Sequence, residues 1–129
     1  MFVMVTMLFV LVASAITLEN PNVKSGKTEV YYFHNTRRCP TCMAIEKETK
    51  KVLDELFSDE LKNGEIVFKS CNAEDKENKE LVKKLGVTGS ALIVVKDDKK
   101  TDLTSKGFMY ALNQPEKLRK ALIEVLQEK

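Results

Sequence analysis

Val30-Tyr31-Tyr32-Phe33-His34-Asn35-Thr36-Arg37-Arg38-Cys39-Pro40-Thr41-Cys42 is the stretch that decides how this chain is read. Val30 to Phe33 is apolar on both faces, as a central strand covered by helices on both sides requires. Pro40 suits the first turn of a helix, where its missing N–H would have had no intrahelical partner. From there Cys42, Ile45, Thr49, Val52, Leu53, Leu56 and Phe57 recur at helical spacing. Glu46, Lys47, Lys50 and Lys51 fall on the other faces, which are expected to be solvated. A buried strand thus passes directly into a helix, with two cysteines at the helix start.

Working outward, Gly64 separates this helix from a second strand at Ile66-Val67-Phe68. Glu77 to Leu85 reads as a short helix with Leu81, Val82 and Leu85 inward, and Gly86 stands where a C-terminal cap belongs. Ala91-Leu92-Ile93-Val94-Val95 is a third, buried strand. Asp97-Asp98-Lys99 turns the chain into Lys100 to Thr104, polar enough to be only an edge strand. Asn113 followed by Glu116 resembles a capping box and opens a last helix with Leu118, Ala121, Leu122, Val125 and Leu126 buried. The order is β-α-β-α-β-β-α, which implies an α/β fold with a central four-stranded mixed sheet and helices on both faces.

Thiol–disulfide exchange needs one thiolate that attacks and a second thiol near enough to resolve the mixed disulfide. Cysteines three apart at a helix start meet both needs. Cys39 takes the terminus, where unpaired amides and the helix dipole favour negative charge, and Cys42 lies one turn inside. Arg37 and Arg38 add positive potential, so Arg37, Arg38, Pro40 and Thr41 are the expected thiolate-stabilising residues around the catalytic pair Cys39 and Cys42. A CxxC that joins a strand to a helix within a β-α-β pattern reads as a redox motif rather than as a chance pair. His34 and Cys71 are expected to be structural, the first hydrogen-bonded at a strand end and the second a small buried hydrophobe. No metal site is expected, because structural zinc sites usually use two paired knuckles. Gly26-Lys27-Thr28 imitates the end of a phosphate-binding loop but precedes a strand and has Pro21 where a glycine is needed.

From about Thr28 to the C-terminus the chain resembles the thioredoxin-like superfamily, in element order and in the position of its CxxC. More narrowly, Tyr31-Tyr32-Phe33-His34, Thr36 to Cys42 and Val87-Thr88-Gly89-Ser90 resemble a small prokaryotic branch, the ArsF-type subunit of a nitrophenyl-compound nitroreductase. The resemblance implies that Cys39 attacks and Cys42 resolves. It also makes Gly89, Ser90 and Ala91 the substrate loop, at the place where thioredoxins carry a cis-proline and this chain has none. Thioredoxins bury an acid beneath the dithiol, and the matching residue here is Phe33, so no anion is expected near the attacking sulfur. These departures imply a dedicated partner, a redox protein or a membrane electron donor. A thiol module binding a soft metal or metalloid, and a redox-silent subunit of a reductase system, are the rival readings.

The remaining composition bounds the answer. The 129 residues suit one domain, and 21 basic against 19 acidic residues, interspersed, produce no field that argues for nucleic acid. No flavin-binding or nicotinamide-binding feature is present, so no cofactor is expected. Residues 1–18 carry no charged side chain, and Ala13-Ser14-Ala15 supplies a small-x-small pattern. They read as a signal peptide or an N-terminal membrane anchor, followed by a linker over 19–27 and the thioredoxin-like domain over 28–129. Either reading places the domain in the periplasm or cell envelope, touching membrane only through an uncleaved N-terminal segment. Three cysteines cannot all pair within one chain, so a disulfide framework is excluded.

Overall fold

A computed structural model of the chain describes residues 26–128; the signal or anchor expected over 1–18 and most of the linker over 19–27 lie outside the described residues. Four strands, β1 (Thr28–His34), β2 (Ile66–Asn72), β3 (Ala91–Lys96) and β4 (Lys99–Asp102), form one sheet in the order β2-β1-β3-β4. β1 runs parallel to β2 and antiparallel to β3, and β3 pairs antiparallel with β4. The mixed four-stranded sheet expected from the sequence is therefore present, with β1 in its interior.

Period-two alternation along β1 divides the core. Val30 and Tyr32 point to one face, where Ile45, Val52 and Leu53 of α1 (Pro40–Leu56) and Leu118 and Leu122 of α5 (Pro115–Gln127) bury them. Tyr31 and Phe33 point to the other face, against Leu85 at the end of α3 (Lys79–Leu85). Helices thus cover both faces, and the larger core lies on the α1 side. A short α2 (Ser58–Lys62) follows α1, and a 3-10 turn over Lys76–Asn78 precedes α3. Gly86 ends α3 in the left-handed conformation, φ 66°, which a glycine adopts without steric penalty. Asp97 and Asp98 both have positive φ in the β3–β4 turn, the geometry that matches the twist of a tight hairpin. Among the described residues no helix is long and apolar enough to cross a membrane.

Three expectations are corrected. Thr104 does not end the edge strand; it begins α4 (Thr104–Tyr110), a helix absent from the expected order. This segment has no apolar stripe of its own and is held by tertiary contact. An added Cβ on Gly107 would lie 3.1 Å from Ile45 Cδ1, so glycine lets α4 approach α1 closely. The Asp102 carboxylate accepts the Thr104 amide at 2.9 Å and starts the turn. The capping box at Asn113 and Glu116 does not form: Pro115 occupies the first helical position, and Gln114 is the N-cap without a side-chain hydrogen bond. Finally, Glu46 is not solvated. Its residue exposure is 9%, and it faces inward from α1.

Candidate functional site: a disulfide at the start of α1

The antiparallel pairing of β1 with β3 brings the site together. Phe33 lies opposite Ala91, so the loop leaving β1 and the loop entering β3 emerge at the same sheet end. The first carries Arg37, Arg38 and Cys39 into α1; the second carries Gly89 and Ser90.

Cys39 and Cys42 are joined as a disulfide, with Cα atoms 5.1 Å apart, inside the spacing that a disulfide needs. Cys39 is the N-cap of α1, and its Sγ accepts the Cys42 amide at 3.1 Å. A sulfur thus takes the capping role that serine or aspartate oxygens usually hold. Pro40 at the first helical position has no amide to donate, and the Cys42 amide is the donor that reaches the sulfur. Cys39 is exposed whereas Cys42 is buried, so the two residues of the pair differ in their access to solvent. The helix is anchored from below by the Tyr32 hydroxyl, which donates to the Cys42 carbonyl at 2.5 Å from the fully buried ring on β1.

Ser90 places its hydroxyl 3.6 Å from Cys42 Sγ, which puts the loop Gly89-Ser90-Ala91 beside the disulfide. No cis peptide occurs among the described residues, so the Ser90–Ala91 bond is trans. Arg37 is exposed. Arg38 is exposed as well, and its guanidinium bonds the Glu46 carboxylate and stands 5.9 Å from the centre of the Tyr32 ring. Thr41 is partly buried in the first turn. Met43, half exposed, follows Cys42 and adds apolar surface beside the pair.

Glu46 adds a buried carboxylate to α1, four residues after Cys42. Burial raises its carboxyl pKa, but hydrogen bonds from Arg38, Ser70 and Lys50 outweigh that and hold it down at about 2. The signal was in the spacing. Positions 42, 45, 46, 49, 52 and 53 form one helical stripe, and Glu46 lies within it. Reading it by residue type alone assigned it to solvent.

The other candidates stay apart from this site. His34 Nδ1 is 3.0 Å from the Asn35 carbonyl oxygen, and its ring stacks on Tyr32. Cys71 is a free thiol buried among Phe33, Ala91 and Ile93 on the α3 face. Among the described residues no group of three or more His, Cys, Asp or Glu is arranged to hold a metal ion.

No family model and no curated protein sequence matches the chain. Among solved structures it is similar to thioredoxin f2 of Chlamydomonas reinhardtii, at 20% identity over 81% of this chain and 83% of that one, with a TM-score of 0.49. It is also similar to a malarial protein, at 17% identity over 68% of this chain and 96% of the other, with a TM-score of 0.44. The strand order β2-β1-β3-β4 and the disulfide heading the helix after β1 make this an α/β chain with a four-stranded mixed sheet, helices on both faces and a cysteine pair in disulfide geometry.

Proposed function

We propose that the chain is an exported thiol–disulfide oxidoreductase that works through the Cys39–Cys42 pair with a dedicated partner. The observation that carries this reading is the asymmetry of the disulfide: an exposed Cys39 at a helix N-terminus and a buried Cys42 one turn inside.

The exchange follows from that asymmetry. A partner thiolate attacks Cys39 Sγ, the Cys39–Cys42 bond breaks, and Cys42 leaves as a thiolate that takes up a proton. A second partner thiolate then attacks the partner sulfur of the mixed disulfide and releases Cys39. Two electrons have moved from the partner dithiol to the protein disulfide; the reverse sequence returns them. The Cys42 amide already donating to Cys39 Sγ would stabilise the thiolate there, as would the α1 terminus, the open first turn at Pro40 and Thr41, and the cationic Arg37. Gly89, Ser90 and Ala91 form the surface a partner backbone meets beside the pair. The partner is a redox protein or membrane electron donor, in keeping with the resemblance to a reductase subunit, and no cofactor is needed. The apolar segment over 1–18 supports work in the periplasm or cell envelope, free or anchored.

A redox titration against glutathione or dithiothreitol buffers tests the reading. A single two-electron couple between about −270 and −120 mV is expected. A pair that fails to exchange with either buffer would overturn it.

A further inference from the structure

Glu46 is a buried carboxylate on the same helix as the dithiol, and no step of the exchange above uses it. It lies one turn after Cys42, at a spacing that makes helical side chains neighbours. Groups from three elements face it. Arg38, in the loop before α1, bonds one carboxylate oxygen, and Lys50 on α1 bonds the other at 3.1 Å. Ser70 on β2 lies close enough to help hold the carboxyl pKa down, and the Tyr32 ring on β1 stands beneath the guanidinium. Arg38 directly precedes Cys39, so whatever holds Arg38 also holds the chain entering the helix.

We propose that Glu46 is a positioning residue for the dithiol: by taking up the Arg38 guanidinium it neutralises that cation and sets how readily Cys39 becomes a thiolate. This rests on the reading of Cys39 as the reactive sulfur, but it concerns an acidity that is measurable whether or not the protein has a redox partner. A buried anion near the first turn disfavours a second negative charge, and a guanidinium paired with it contributes little net potential. Removing the carboxylate eliminates the opposing anion and frees the Arg38 charge. Both changes favour the Cys39 thiolate. Removing Arg38 instead leaves the carboxylate compensated by Lys50 alone, which disfavours it.

The test is the pH midpoint of Cys39 alkylation in the reduced protein, read by iodoacetamide labelling and peptide mapping. In Glu46→Gln the midpoint is expected to fall by at least about half a pH unit, a threefold gain in thiolate below the midpoint. In Arg38→Gln it is expected to rise, and in the double variant to return towards the parent value. Glu46→Asp, which keeps the charge, should stay closer to the parent than Glu46→Gln. Loosening of the loop alone would move both single variants in the same direction. That result, or an unchanged midpoint in Glu46→Gln, overturns the proposal. Should Glu46→Gln not fold, Arg38→Gln decides: a raised midpoint supports the proposal, an unchanged or lowered one overturns it. Failure of the oxidoreductase reading looks different, as an absent redox couple with these midpoints still measurable.

Discussion

Cys39 and Cys71 are the same side chain in opposite settings. Cys39 caps a helix, accepts an amide and meets solvent. Cys71 lies on the β2 strand facing α3, buried among aliphatic and aromatic groups; burial pushes its thiol up, with Lys69 opposing. One position offers a thiolate unpaired amides and a helix dipole, while the other offers hydrocarbon. The contrast teaches that reactivity here is a property of place. Under the proposed function, two cysteines in one small domain become a nucleophile and a core residue because β1 leads into a helix terminus and β2 does not.

The largest expected effect breaks the comparison outright. Cys39→Ser or Cys42→Ser should abolish disulfide exchange in an insulin-reduction or glutathione-exchange assay, because no second sulfur completes the two-step transfer. Cys71→Ser should leave exchange within about twofold of the parent while lowering stability by about 1–3 kcal/mol, the cost of a hydroxyl in an apolar cluster. Loss of exchange in Cys71→Ser with the fold intact would bring Cys71 into the chemistry.

Labelling sharpens the same contrast. In the reduced, folded protein at pH 7, Cys39 should be alkylated at least about tenfold faster than Cys71, since exposure and thiolate character act together. Comparable rates at native pH would remove the distinction.

Acid unfolding probes the buried acid on the dithiol side. The Glu46 carboxyl is held down from 4.5 to about 2 in the folded chain. A depressed carboxyl contributes stability that is fully present above the unfolded value and is lost as pH falls through the folded one. The stability difference between the parent and Glu46→Gln, from urea melts, should therefore be constant above about pH 5 and shrink towards pH 2. A pH-independent difference would contradict the ion pair.

The smallest effect compares adjacent tyrosines on the two faces. Tyr32→Phe removes the buried bond to the Cys42 carbonyl and should cost about 1 kcal/mol. Tyr31→Phe removes a part-buried bond to Glu29, whose carboxylate keeps some access to solvent, and should cost less, about 0.5 kcal/mol or below. Equal costs would mean that the Tyr32 hydroxyl does not anchor the helix start.

The strands, α1, α3, α5 and the disulfide pair were legible in the residues because each is local. Strand runs, helical stripes and a CxxC at a helix start have periods that a linear pattern shows. The features that escaped are those in which a neighbour overrides the residue's own preference. Residues 104–110 show no stripe, yet they form α4, which packs closely on α1 where Gly107 faces Ile45. Asn113 looks like a cap, yet Pro115 sets the helix start. Glu46 is the sharpest case, since its spacing marked the buried face and its charge argued for solvent. A carboxylate enters a core only when partners distant in the chain supply its hydrogen bonds, and Arg38, Lys50 and Ser70 are gathered by the packing of α1 on the sheet. Local spacing was enough to locate the two sulfurs. Which charges stand near them, and that Ser90 lies beside Cys42, depended on the fold, because electrostatic environment is set by distances through space and not along the chain.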